Sequence, residues 1–438
     1  MAKGGPVILK FGGAALESPV LVSARTRSVL RTGKPVVLVV SARAGVTDLL
    51  LGILAHPKAT SAHRRSLEAI RRKHPGLRDR GAAHLRRTAR LIRQVERTYP
   101  KDRPLGDRLL SQGERLAAHW LSEELIRQGF RAVPVETDHL GLITDNAYGA
   151  SCVQFDLSKP GVTRGLRRLL DQGCLPVVTG FFGRSLEGRV ATLGRGGSDY
   201  SAASIGALID ASRIELTKPD VAVLTADPKD VPAARTLRRL SYGEAEELAQ
   251  FGARVLHPLT IEPARSHAIE LRVRSLSDPE RTTTIGPPRP SSGIRALTRL
   301  EPLRLLRVRV PGGRQRPGVV AEISTRLAQA QVNLVALFTS SALLCLVLEP
   351  TQVRAGIRAL SSMLAASTAV VDGPIPVALV TAIGDGILSD ADRIPGTVLR
   401  SVEGFSATPR SLSLAVRSPH GRAALRAMHR VLVEGKSR

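Results

Sequence analysis

Residues 192–203 read T-L-G-R-G-G-S-D-Y-S-A-A. Glycines on either side of Arg195 free backbone N–H groups for close approach to an anion. The small residues that follow, D-Y-S-A-A-S-I-G-A-L-I-D-A (199–211), carry a helical pattern. The stretch therefore reads as a glycine loop leading into a helix. Short apolar runs recur through the same region: 6–11 (P-V-I-L-K-F), 35–41 (P-V-V-L-V-V-S), 132–135, 175–181, 212–217 and 269–274. Helical patterns such as 116–128 separate them. Alternating strands and helices predict an α/β fold, a mainly parallel open sheet with helices on both faces. Ligands of such sheets bind at the carboxyl ends of the strands.

Four loops gather anion binders and hydroxyls at those ends. Lys10-Phe11-Gly12-Gly13 closes the first strand, and Ser41-Ala42-Arg43-Ala44-Gly45-Val46-Thr47-Asp48 closes the second. Gly113-Glu114-Arg115-Leu116 lies early in a helix, and the fourth loop holds Arg195, Ser198 and Asp199. The first is not a Walker loop, which needs G-x-x-x-x-G-K-[ST]. Each has a simpler reading alone: Ser41 and Thr47 as helix caps, Glu114 as a surface charge, Asp199 as a helix-dipole partner. Their convergence favours a site.

Composition shifts at 281–302, where proline, glycine and serine predict a linker. Strand and helix patterns in the order β-α-β-β-α follow, and a similar start recurs at 377–386. The expected organisation is a domain over 1–280, the linker 281–302, and two small α+β domains over 303–375 and 376–438.

Lys and Arg outnumber Asp and Glu by 64 to 38, a net charge of +26, densest between His63 and Arg108. Leu85, Ala89, Leu91, Ile92 and Val95 recur there near helical spacing, which predicts amphipathic helices with a basic face. With no nucleic-acid motif and only one Trp, four Tyr and eight Phe, the charge reads as a solvated surface rather than a nucleic-acid site. Cys152, Cys174 and Cys345 are isolated, without metal spacing, and suit a reducing compartment. The N-terminal apolar run is too short for a signal peptide, and no stretch approaches the ~20 apolar residues of a membrane span. A cytoplasmic protein without membrane contact is expected.

Taken in order, V-I-L-K-F-G-G, V-V-S-A-R-A-G-V-T-D-L-L, G-E-R-L, T-L-G-R-G-G-S-D-Y-S-A-A, T-A-D-P-K and F-G-A-R-V-L-H-P resemble the aspartokinase family over about residues 6–280. After the linker, R-P-G-V-V-A-E-I-S and Q-V-N-L-V look like its ACT regulatory domains. The resemblance implies transfer of the ATP γ-phosphoryl group to the β-carboxylate of aspartate, the first step toward lysine, threonine and methionine, with ACT-mediated feedback control. It implies that Lys10 neutralises the phosphoryl group, Gly12 and Gly13 donate N–H bonds, and Asp199 orients Lys10. Arg195 would grip a substrate carboxylate, Ser41, Thr47 and Ser198 would bond the substrate, and Glu114 its ammonium. Lys218, Lys229 and Arg254 would lie near ATP, with Mg²⁺ bridging the phosphates. Gly318 (after Pro317) and Asn333 match effector-site positions, for lysine or threonine, or serve only as turn and helix cap. A homo-oligomer is expected.

The chain departs from that pattern in places. Ala14 and Ala15 stand where the family has T-S, and Pro219, Ala222 and Leu224 interrupt its W-[TK]-D-V-x-G segment. The second ACT-like unit is short, leaving about two turns of helix at 395–405. Two other functions stay open: an amino-acid-binding regulatory protein with weak or no kinase activity, and a related kinase with another acidic substrate.

Overall fold

A computed structural model describes the chain except residues 1–3, 101, 219–221, 253–255, 289–292, 310–317, 341–342, 367–369 and 437–438. Two compact units emerge. The first joins Met1–Val223, Thr236–Glu246 and Arg254–Pro288; the second joins Leu224–Arg235, Glu247–Ala253 and Arg289–Arg438.

In the first unit the apolar runs become strands: β1 Val7–Phe11, β2 Val36–Val40, β3 Ala132–Val135, β4 Ile143–Thr144, β5 Leu175–Thr179, β6 Phe182–Ser185, β7 Val190–Thr192, β8 Arg213–Lys218, β9 Arg239–Ser241, β10 Glu270–Ser275 and β11 Thr282–Gly286. Eight of them form one sheet in the order β3-β5-β2-β1-β8-β10-β11-β9. Every pairing in it is parallel except β10 with β11. β4, β6 and β7 form a small separate sheet.

The central strands are buried on both faces, so β1 and β2 are almost wholly apolar. Val7, Leu9 and Phe11 share one face with Val36, Leu38 and Val40 and meet Val22, Val29, Trp120 and Leu121. Those partners come from the helices Pro19–Leu30 and Gln112–Arg127. The opposite face receives the helix Gly197–Leu208, whose residues are all buried. Its small side chains let it press close: a Cβ on Gly206 would meet Ile214 at 2.7 Å. Lys10 shares that face with Ile8, because side chains alternate along a strand. The only charge in β1 thus points toward the helix that begins in the glycine loop. The basic stretch forms the helices Thr60–Lys73 and Asp79–Thr98, with Leu91, Ile92 and Val95 buried as the spacing predicts.

In the second unit β12 Ala296–Arg309, β13 Ala336–Thr339, β14 Leu343–Leu348, β15 Val370–Ile383, β16 Val402–Ala407 and β17 Ser411–Arg417 form one antiparallel sheet, ordered β13-β14-β12-β15-β17-β16. β12 and β15, each 14 residues long, run through both halves. Their register shifts between Leu300 and Leu303. The helices Val319–Gln329 and Val353–Ala366 pack one half, and Ser418–Leu432 the other. Residues 395–405 hold a four-residue helix, Gly396–Leu399, rather than two turns.

Much of the 281–302 stretch is strand, namely β11 and the start of β12. All its prolines and glycines but Pro302 lie in 286–293, while T-T-T-I and A-L-T-R-L keep strand character. Segment 224–235 belongs to the second unit. Leu297 N–H donates to Thr225 O at 2.8 Å, and Asp230 pairs with Arg299 at 2.9 Å and Arg422 at 3.0 Å. Among the described residues no helix is long and apolar enough to cross a membrane.

Candidate active site

The carboxyl ends of β1, β2, β5 and β8 lie side by side where the strand order reverses around β1. Lys10 Nζ lies 2.6 Å from Asp199 Oδ1, and Lys218 Nζ lies 2.7 Å from Oδ2. One buried carboxylate thus holds two ammonium groups. Burial by itself raises an acid, yet the two lysines outweigh it and hold the Asp199 carboxyl at about 2. Burial lowers the Lys10 ammonium, against the pull of Asp199. The helix-dipole reading of Asp199 is therefore incomplete: it sits in the first helical turn but spans two cations.

Glu114 is buried, not a surface charge. Its Oε1 accepts from Ala42 N–H at 2.9 Å. Oε2 is buried with no hydrogen-bond partner among the described residues. Burial pushes this carboxyl up to about 8, against the Ala42 bond and the charge of Lys10. The site therefore combines two cations, one ionised carboxylate and a second carboxyl that is largely protonated at neutral pH.

The glycines bring the loops together. A Cβ on Gly13 would meet Ala42 O at 2.4 Å, so only glycine lets these two strand ends touch. Gly12 lies beside Lys10, its Cβ position 3.6 Å from Nζ. Ser41 is half-buried and donates its N–H to Phe11 O at 3.2 Å. Gly45, not Ser41 or Thr47, caps the helix Val46–Ala55, and no side chain caps it. Thr47 is half-buried in its first turn. Neither hydroxyl does the capping that offered the simpler reading. In the quoted loop Gly196 is left-handed at φ 73°, and a Cβ there would strike His257 at 2.5 Å. Ser198 is buried below it, while Arg195 is exposed and makes no ion pair among the described residues.

Lys10, Asp199, Lys218 and Glu114 thus form one group, with Gly12, Gly13, Ser41, Thr47, Arg195 and Ser198 on the loops that carry it. Lys229 is exposed in the segment of the second unit. Gly318, left-handed at φ 84°, caps the helix Val319–Gln329. Asn333 is exposed, and its N–H donates to Gln352. Arg254, Pro219 and Pro317 lie outside the described residues. Ala15 is buried in the core under β1, a place for a methyl rather than a hydroxyl, and Ala14 is exposed. Sequence reasoning missed His257, whose imidazole is lowered by burial and by Arg195. Its only signal was its place in V-L-H-P. It also missed the Lys218–Asp199 pair and a second charged cluster around Arg115.

Residues 5–275 match the sequence model of the Amino acid kinase family. An aspartokinase of Geobacillus stearothermophilus is 30% identical over 285 residues, 64% of this chain and 59% of that relative. The chain thus spans less than two thirds of this curated relative's length. The E. coli aspartokinase III structure in complex with aspartate and ADP (R-state) superposes with a TM-score of 0.82 at 25% identity, covering 97% of this chain and 99% of that one. The same enzyme with lysine and aspartate (T-state) gives 0.76 at 25% identity, covering 98% and 99%. The expected resemblance to aspartokinases and the expected fold class are borne out.

Proposed function

Since this chain belongs to the amino acid kinase family, we propose that it is an aspartate kinase, transferring the γ-phosphoryl group of ATP to the β-carboxylate of L-aspartate. The observation that carries the reading is the Lys10–Asp199–Lys218 array beside the open oxygen of Glu114. A carboxylate nucleophile is already ionised at neutral pH, so the reaction needs no general base. It needs positioning and positive charge where the phosphoryl oxygens gather charge. Asp199 sets the two lysines in place rather than taking a proton. The new bond joins a carboxylate oxygen to the γ-phosphorus; the bond to the bridging oxygen breaks, and ADP leaves with its electron pair.

Glu114 Oε2 meets the substrate ammonium, whose arrival favours the ionised form. Arg195 closes from the exposed loop onto a substrate carboxylate. Ser41, Thr47 and Ser198 bond the substrate, and Gly12 and Gly13 donate to phosphate. Lys229 and Arg254 serve the ATP phosphates. Mg²⁺ supplies charge neutralisation across those phosphates. Asp199 already faces two lysines and Glu114 is held largely protonated, so phosphate and water oxygens would hold the ion. The E. coli relative bound to lysine supports lysine as effector of the second unit, with Gly318 and Asn333 in its site, and a homo-oligomeric cytoplasmic enzyme completes the reading.

Aspartyl hydroxamate formation with purified protein, ATP and Mg²⁺ tests it. Aspartate-dependent product with ADP release is expected. Amino-acid binding without turnover would instead favour the regulatory reading, to which Ala14 and its missing hydroxyl point. Turnover with another acidic substrate and none with aspartate would move the reading to a sister kinase.

A further inference from the structure

A second, largely buried cluster lies along the helix Gln112–Arg127, starting at Arg115 beside Glu114. Arg115 pairs with Glu136 and, at 2.6 Å, with Asp138, and its guanidinium lies 4.6 Å from the Phe182 ring centroid. The other Glu136 oxygen, Oε1, faces two imidazoles. His84 Nε2 is 2.8 Å away and His119 Nε2 is 3.6 Å away. Neutral imidazole offers a single N–H, so His84 can bond Oε1 directly. His119 stands beyond hydrogen-bond reach of the same atom. The three donor atoms all lie within 4.8 Å of one another. Ligands on a tetrahedral ion with ~2.0–2.1 Å bonds sit about 3.3 Å apart, so a small contraction would close them around one cation.

We propose that His84, His119 and Glu136 form a binding site for a zinc-like divalent cation. Two nitrogens and a carboxylate oxygen form a donor set of borderline softness that suits Zn²⁺ over Mg²⁺ or Ca²⁺. Both imidazoles turn Nε2 toward the same Glu136 oxygen. His84 Nδ1 and Gln112 Oε1 are each buried without a hydrogen-bond partner among the described residues. Arg115 bears on both imidazoles, with Arg87 near His84 and Arg80 near His119. Glu136 and Asp138 pair with Arg115 through Glu136 Oε2 and Asp138 Oδ2, which leaves Glu136 Oε1 facing the two imidazoles as the oxygen ligand. The ion would tie the helix Asp79–Thr98 to the helix that carries Glu114 and to the end of β3.

The untagged full chain, freed of metal, is titrated with Co²⁺ and then Zn²⁺. The expected result is one equivalent of Co²⁺ with the visible absorption of a low-coordinate nitrogen–oxygen site, displaced by one equivalent of Zn²⁺. His84→Gln and His119→Gln should each weaken Zn²⁺ binding by about 100-fold or more, while exposed His139→Ala leaves it unchanged. Wild-type protein that yields no such Co²⁺ spectrum, or variants that bind Zn²⁺ as tightly as wild type, would overturn the site. Should the glutamine variants fail to fold, the wild-type spectrum and its Zn²⁺ stoichiometry decide alone.

Discussion

Two buried charged clusters share the first unit, and they leave different groups open. At the ends of β1 and β8, Lys10 and Lys218 share one ionised carboxylate, and Glu114 adds little negative charge while protonated. Around Arg115, one guanidinium faces two carboxylates, and the neighbouring imidazoles are neutral. The first cluster has positive charge to spare and suits an anion such as phosphate. In its direct ion pairs the second has two carboxylates on one guanidinium, with Arg80 and Arg87 near its imidazoles, and it offers a cation two imidazole nitrogens and one carboxylate oxygen. Burial strengthens the ion pairs of both, because low dielectric weakens screening. The kind of donor that stays open, ammonium in one cluster and imidazole with carboxylate in the other, separates a phosphoryl site from a metal site.

Removing the guanidinium that pairs with both carboxylates of the second cluster should have the largest effect. Arg115→Gln leaves Glu136 and Asp138 buried without their partner and should destabilise the protein by roughly 3–5 kcal/mol. Denaturant melts with and without Zn²⁺ check this: the ion should restore part of the loss. In the first cluster, Lys10→Ala should lower kcat by about 10²–10³-fold with a smaller change in aspartate KM. Steady-state kinetics that show an unchanged kcat would remove Lys10 from the transfer step.

A gentler change tests geometry. Arg195→Lys keeps the charge and loses the fork, so aspartate KM should rise about tenfold, one charge-assisted hydrogen bond's worth. A rise confined to ATP KM would reassign the residue. The smallest effect is a proton. With Glu114 near 8, aspartate binding at neutral pH should release close to one proton, read by calorimetry in buffers of different ionisation enthalpy. Glu114→Gln should abolish the release. The stability sign follows from the same shift: a carboxyl raised from 4.5 to about 8 favours the folded state below its unfolded value, and that advantage fades as pH rises through 8. Wild type should therefore lose stability relative to Glu114→Gln between pH 5 and pH 8.

Strands β1, β2 and β5 were legible because fully buried parallel strands are short apolar runs bounded by turns, and β3, β8 and β10 because buried apolar residues recur in short runs between helical patterns. Lys10, Glu114 and Asp199 were legible through their glycine neighbours. The partnership of Lys218 with Asp199 was not, since nothing local marks two side chains brought together by sheet order. His84, His119 and Glu136 are 35 and 17 positions apart, a spacing that matches no metal motif. The 281–302 stretch misled because turn residues packed into its middle masked the strands on either side. Nor did any composition shift mark 224–235 as part of the second unit. A cut near Pro302 would strip Ala226 and Val231 of Leu412, Leu414 and Met428, core neighbours from the far end of the chain.

That excursion also sets a clock. Thr225 reaches its hydrogen-bond partner His429 across 204 positions of chain. At ~5–20 residues per second, a ribosome takes about 10–40 s to deliver the second after the first. Through that interval Ala226 and Val231 have only part of their core cluster, such as Ile294 and Leu297, while Leu412, Leu414 and Met428 are still to come, though the eight-stranded sheet needs nothing beyond β11. The nascent protein therefore completes its sheet early and its last apolar segment late, and the waiting stretch, T-A-D-P-K-D-V, is the part a chaperone would have most time to meet.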